Sequence, residues 1–295
     1  IVAAATGHIA TVSLQLWAEP ALRLMGAQDE ALGLGVTYLR LVSAVFVLAA
    51  FMFIGNACLR GAGDTRTPMF VMLAVNLLNV ALSWVLVNGL LGLPRLGVAG
   101  AAVGEMTGRC VGGILVVYLL WKGRSGLRLQ LRHLRVDLAI IRRILNVGLP
   151  TGLEQIIFRF GMMSFVRVVS ALGTVAYAAH QVALNAESLS FMPGFGFAVA
   201  ATTLVGQGLG AGDAQRAERD GYIAFFIAAI LMSLMGVGFF VFARPLVGFF
   251  TNEADVIAQG EMPLRLIGLI QPFLASAMVL AGALRGAGDT RTPML

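Results

Sequence analysis

A carboxylate and a guanidinium stand four residues apart at Glu105 and Arg109, inside an otherwise apolar stretch. At that spacing they share one helix face and can pair. A charge kept in apolar surroundings is either neutralised by a static partner or used to take up and release a cation. In the preceding apolar stretch Asn76, Asn79 and Ser83 fall within about 60° of one another on a helical wheel, forming a polar stripe. Further on, Glu154 and Gln155 sit about ten residues into another stretch, spaced along it at 1.5 Å per residue. Glu154 can bind a proton or a cationic solute, or it can pair with Arg159, Arg167 or a neighbouring helix. His180, Gln181 and Asn185, with Glu187 and Ser188 beyond them, offer hydrogen bonds to a solute or to adjacent helices. Met162, Met163, Met192 and Phe191 supply adaptable apolar surface, or simply fill space.

Other chemistries lack their residues. No HExxH sequence, Ser/His dyad at helical spacing or other compact acid/base constellation occurs. The segment VGQGLGAGDAQRAERD has neither the Gly-Lys-Ser/Thr ending nor the preceding strand of a phosphate loop. Cys58 and Cys110 both lie in apolar stretches and suggest neither a disulfide framework nor a metal cluster. The expectation is a protein that is no enzyme, holds no metal and binds no nucleic acid.

The elements that carry these groups follow from composition. The 295 residues are 58% hydrophobic and 12% charged, about half the roughly 25% charge of soluble domains. Apolar runs bounded by polar loops predict eight spans: 1–17, 31–59, 68–91, 97–121, 144–170, 176–207, 220–243 and 256–284. This is the pattern of an all-α, multi-pass membrane protein. Pro193 and Pro272 fall inside spans and predict kinks. Gly100, Gly104, Gly108 and Gly112, four residues apart, predict a helix-packing seam.

Eleven residues, LRGAGDTRTPM, occur twice, from Leu59 and again from Leu284, an offset of 225. The same offset matches Pro20 with Pro245 and Leu39-Arg40 with Leu264-Arg265. Six spans separate the copies, so both copies fall on one side of the membrane and the repeats are parallel. Basic residues choose the side. With the loop from Lys122 to Arg143 placed in the cytoplasm, thirteen Lys and Arg fall inside and three, Arg23, Arg95 and Arg244, outside. The expected layout is an N-terminal lobe (1–121), a basic cytoplasmic linker (122–143) and a C-terminal lobe (144–295), each lobe with four helices. Closing two bundles of six would require two more helices before residue 1 and two after residue 295, so a fragment is expected. The GAGDTRTP loop reads as a tight turn in which Asp64 or Asp289 caps the next helix.

The doubled LRGAGDTRTPM, GLPTGLEQ from Gly148, AAHQVAL from Ala178 and ATTLVGQGLGAGD from Ala201, in this order and spacing, resemble the multidrug and toxic compound extrusion (MATE) transporters, DinF-like branch. The resemblance covers essentially the whole chain. It implies two lobes of six helices, with this chain supplying the third to the tenth. It implies a monomer in the cell (inner or plasma) membrane that exports amphiphilic, often cationic compounds. Proton or sodium would enter in exchange, as a transported ion and not a cofactor. In well-studied branches an acid follows the proline of the 144–170 span by eight residues; Phe158 stands there, and Glu154 lies one turn earlier. The DinF-like branch often reads Asn and then Asp four residues on, near a cation site. Asn79 matches, Ser83 replaces the acid, and Glu105 stands in the next span where that branch often has Thr. The resemblance therefore points to Glu105, Asn79, Ser83 and Asn76 for the coupling ion, and to Glu154, Gln155, His180, Gln181 and Asn185 for substrate or proton. A lipid-linked saccharide flippase shares this two-bundle architecture and is the alternative. Basic residues for its pyrophosphate would be needed in the cavity, whereas here only Arg40, Arg109, Arg159, Arg167 and Arg265 lie within spans.

Overall fold

The computed structural model describes residues 1–24, 28–90, 92–124, 126–130 and 137–294. Among them are ten α-helices: α1 (Val2–Leu24), α2 (Asp29–Ser43), α3 (Phe46–Gly61), α4 (Arg66–Asn88), α5 (Val98–Lys122), α6 (Leu138–Ala171), α7 (Thr174–Gly210), α8 (Ala214–Val241), α9 (Ala243–Phe250) and α10 (Ala254–Gly286). They fall into two compact units, Ile1–Leu138 and Ala139–Leu295. In the expected linker 122–143, Ser125 and residues 131–136 lie outside the described residues; α6 already begins at Leu138.

Helices α4, α5, α7, α8 and α10 are long and apolar enough to cross a bilayer, and the bent pair α2–α3 is so too when taken as one span. Expected spans 1–17 and 144–170 correspond to α1 and α6, which are long enough to cross at 23 and 34 residues but carry more polar groups. Many large apolar side chains on these helices point outward, Trp84, Ile230 and Phe273 among them, as expected where the surrounding solvent is lipid.

In the first unit the expected continuous span 31–59 is corrected. It breaks after Ser43, and α2 and α3 meet at a 54° bend. The predicted glycine seam is present and joins α5 to α4. A Cβ on Gly100 would sit 2.7 Å from the Leu86 carbonyl carbon, one on Gly104 would strike Ser83, and one on Gly108 would lie 3.1 Å from the Val75 carbonyl oxygen. Gly112 lets Met52 and Val75 in, so α3 also reaches this core of Met52, Val71, Val75 and Val116.

The second unit is built on α7, α8 and α10. Small residues one helical turn apart, including Ala179, Ala183, Ala186, Ser190, Gly194, Ala198 and Ala201 of α7, make the buried face. Proline does not interrupt these helices: α7 runs through Pro193, and α10 through Pro263 and Pro272. Pro272 has no N–H for the Gly268 carbonyl. There α8 comes closest, at Gly236, whose own carbonyl would meet a Cβ on Gly268 at 2.5 Å. One turn along, buried Ser190 donates to Gln271 Oε1 at 2.7 Å.

The repeated motif folds into the same turn twice. Gly63 and Gly288 both take φ 88°, a conformation glycine adopts without strain. Asp64 N–H donates to Leu59 C=O at 2.9 Å, and Asp289 N–H to Leu284 C=O at 3.0 Å. Asp64 accepts from the Thr67 N–H and hydroxyl (2.9 and 2.6 Å), as Asp289 does from those of Thr292 (3.1 and 2.5 Å). Hydrogen bonds from the Thr292 hydroxyl and N–H hold the Asp289 carboxyl below the usual carboxylate range. The GAGD of the rejected phosphate-loop segment makes the turn a third time: Gly212 has φ 77°, Asp213 N–H donates to Gly208 C=O at 3.0 Å, and its side chain accepts from Arg216 N–H at 2.9 Å. Asp64→Ala removes such a cap and is expected to destabilise the first unit by about 1 kcal/mol in chemical unfolding, whereas Asp64→Asn retains most of the stability. With Cys58 and Cys110 replaced, cysteines at exposed Thr65, Ala211 and Ala287 are expected to react with an impermeant maleimide from one membrane face only, the cytoplasmic one; labelling of Thr65 and Ala287 from opposite faces would contradict parallel repeats.

Candidate ion-coupling and substrate sites

Glu105 lies on α5 next to the glycine seam, turned from α4 toward α2. Its carboxylate accepts hydrogen bonds from the Tyr38 hydroxyl of α2 and from Arg109 Nη2 one turn along α5. The ion-pair side chains are about a quarter exposed, 22% for Glu105 and 26% for Arg109. The guanidinium also lies over the Phe46 ring of α3, 5.6 Å from its centroid. Three helices thus supply one cluster: an acid, a phenol, a base and an aromatic face. A carboxylate so placed can exchange its arginine for an entering cation, because the two compete for the same oxygens.

Asn79 and Ser83 are brought together on α4, with the Ser83 hydroxyl donating to Asn79 Oδ1 at 3.0 Å. Asn76 is exposed. Among the described residues no hydrogen bond joins Glu105 to Asn79 or Ser83. Gly104 packs against Ser83 and Gly108 against Asn79, so the carboxylate and the amide stand on adjacent flanks of the α4–α5 seam.

In the second unit Glu154 pairs neither with Arg159 nor with Arg167. Its partner is Arg285, the arginine of the second LRGAGDTRTPM, at 2.5 Å. The Glu154 Oε2 and Arg285 Nε atoms are buried without a partner, leaving capacity for a further ligand. Gln155 is exposed. His180 faces the Phe165 ring edge-on at 5.3 Å, and its Nε2 is buried without a hydrogen bond. Gln181 reaches the Tyr177 hydroxyl at 3.4 Å, Asn185 is exposed, and the Ser188 hydroxyl donates to the Asn185 carbonyl at 2.6 Å. Glu154→Gln is expected to lower stability by ~1–3 kcal/mol, and Glu154→Arg combined with Arg285→Glu to be more stable than either charge reversal alone, as read by thermal unfolding in detergent.

Sequence reasoning passed over Tyr38, which is 67 positions from Glu105 and carries no periodic signal. It also confined Arg285 to a turn, although the side chain reaches α6. The sign available in the sequence was a lone polar aromatic on the face of an apolar helix.

The MatE family model matches residues 1–85 and 150–295. A probable multidrug resistance protein NorM of Thermotoga maritima is 38% identical over 261 residues, 88% of this chain and 55% of that protein. The multidrug resistance protein NorM of Burkholderia vietnamiensis is 32% identical over 249 residues, 81% of this chain and 53% of that protein. The chain therefore spans little more than half the length of the curated relatives it matches. Among solved structures, the outward-facing conformation of a multidrug resistance MATE family transporter of the MOP superfamily is 25% identical, with a TM-score of 0.91 over 99% of this chain and 65% of that one. With both helical units matched in sequence and fold, the chain belongs to the MatE family of multi-pass membrane transporters.

Proposed function

We propose that the protein acts, within the whole transporter, as a cation-coupled antiporter: H⁺ or Na⁺ enters while an amphiphilic, often cationic compound leaves by alternating access. The observation carrying this reading is the half-buried Glu105 carboxylate held by Tyr38 and Arg109 inside an apolar bundle. Ionisable groups in such surroundings mark ion pathways. Asn79 and Ser83 flank the entering ion across the seam; Asn79 matches the Asn of the DinF-like pattern on α4, and Ser83 stands in place of its acid. In the second unit Glu154, with Gln155, His180, Gln181 and Asn185, supports attraction of a cationic substrate. The multidrug resistance names of relatives support export as the direction. Efflux-deficient bacterial cells expressing the whole transporter are expected to accumulate several-fold less of a fluorescent lipophilic cation. Abolishing the relevant ion gradient is expected to cancel that difference. Unchanged accumulation, together with translocation of a lipid-linked saccharide by the purified protein, would replace export with the flippase reading.

A further inference from the structure

The α2–α3 bend has no sequence cause of its own. Helix kinks come from proline, glycine/serine pairs, bulges, or side chains that enter the hydrogen-bond ladder. Ser43-Ala44-Val45-Phe46 contains neither proline nor glycine, and the flanking LRLV and FVLAAF favour helix. The ladder is entered from α1. The Thr11 hydroxyl donates to the Ser43 carbonyl at 2.9 Å, while Gln15 Nε2 braces the last turn of α2 through Ser43 Oγ at 3.1 Å and through the Arg40 carbonyl at 2.7 Å, which also keeps its bond from the Ala44 N–H at 3.1 Å. One turn before Thr11, Gly7 lets α1 approach the start of α3, where an added Cβ would meet Val47 Cα at 2.6 Å. Residues 7, 11 and 15 thus form a single stripe that holds the break open. The two arms of the bend are also tied to the ion pair: α2 through Tyr38 on Glu105, α3 through Phe46 on Arg109.

We infer that the α2–α3 junction is a hinge whose angle follows the charge on Glu105, with Tyr38 as the residue that couples the two. While the carboxylate is charged and free of a coupling ion, it holds Tyr38 and Arg109 together and the bend persists. Neutralisation by a proton, or capture by Na⁺, weakens both ties at once. The ladder through residues 43–46, which the local sequence favours, then competes with Thr11 and Gln15 and the helix straightens. Among the described residues the groups that meet the carboxylate are Tyr38 from α2 and Arg109 on α5 itself; the uncharged Phe46 of α3 lies against Arg109, and Asn79 and Ser83 of α4 are uncharged and stand across the glycine seam. Arg40 of α2 is exposed. The hinge rests on the proposed role of Glu105 only for the timing of its movement.

The test is a distance between spin labels in the whole transporter in nanodiscs, one at Ala31→Cys and one at native Cys58, both exposed, with Cys110→Ala. At 1.5 Å per residue these points lie roughly 40 Å apart on a straight helix, and about 4 Å closer at the observed 54°. Glu105→Gln is expected to lengthen the distance by about 4 Å, and Tyr38→Phe to broaden the distribution toward the longer value while the carboxylate remains. Thr11→Val with Gln15→Leu is expected to lengthen it with Glu105 intact. A change in the Thr11/Gln15 variant but none with Glu105→Gln or Tyr38→Phe overturns the link to the carboxylate. No change in any variant overturns the hinge. Parallel transport measurements separate the readings: straightening with normal transport in Glu105→Gln keeps the hinge and removes the coupling role, whereas lost transport at an unchanged distance does the reverse.

Discussion

Glu105→Gln is expected to reduce ion-driven export at least ~100-fold while leaving folding and drug binding close to normal. The amide is nearly isosteric with the carboxylate, and its single oxygen still accepts from one of the two donors, Tyr38 or Arg109, so the fold is kept while the ties to α2 and α3 weaken. What disappears is the difference between the two states. An ion shifts a conformational equilibrium only through unequal affinity for the two conformations, and moving a population from 1:99 to 99:1 takes about 5.5 kcal/mol of such difference. A side chain that neither titrates nor attracts Na⁺ supplies almost none. Glu105→Ala with Ser83→Asp is expected to recover part of the activity, because it returns a carboxylate to the α4 flank of the same seam, beside Asn79. Normal transport by Glu105→Gln would reduce Glu105 to a structural partner of Arg109, and Glu154 would become the coupling candidate.

The second large effect concerns packing. Gly282→Leu is expected to prevent stable assembly of the second unit, seen as loss of a monodisperse peak in detergent. A Cβ at residue 282 would lie 2.5 Å from the Ala198 carbonyl oxygen and 3.0 Å from its carbon. Both are backbone atoms of α7 and have no rotamer through which to retreat. The Thr202 hydroxyl, which donates to the Gly282 carbonyl at 2.7 Å, would be pulled away as the helices part. Overpacking of this kind typically costs 1–3 kcal/mol or more. Gly282→Ala is therefore expected to give an intermediate loss, several degrees in Tm, that a larger side chain turns into failure.

The fold was readable where chemistry is local or periodic. Long apolar runs located the helices, the glycine stripe of α5 located the seam, and GAGD with its aspartate located the capped turns. The four-residue spacing of Glu105 and Arg109 announced their pair. What the sequence concealed depends on neighbours distant along the chain. Pro193 and Pro272 stand inside α7 and α10, which run on through them, and beside Pro272 the backbone of α8 packs close at Gly236 and Gly268, 32 positions apart in the sequence. Ser43–Phe46 announces nothing, yet the chain bends there, because Thr11 and Gln15 arrive from another helix. The same asymmetry holds at the sites. Glu154 left its partner open between Arg159 and Arg167 of its own helix and a group on a neighbouring helix; the one it meets, Arg285, lies on α10, 131 positions away.

The most direct measurement is ion movement driven by drug. Proteoliposomes containing the whole transporter are given an outward gradient of a lipophilic cation, with neither pH nor sodium gradient imposed, and internal pH and Na⁺ are followed with trapped indicators. Exchange predicts that one of the two ions moves against the drug, in proportion to the drug transported, and that this flux vanishes in Glu105→Gln. Drug movement without any counter-flux of H⁺ or Na⁺, or an undiminished counter-flux in Glu105→Gln, would contradict coupling through this carboxylate.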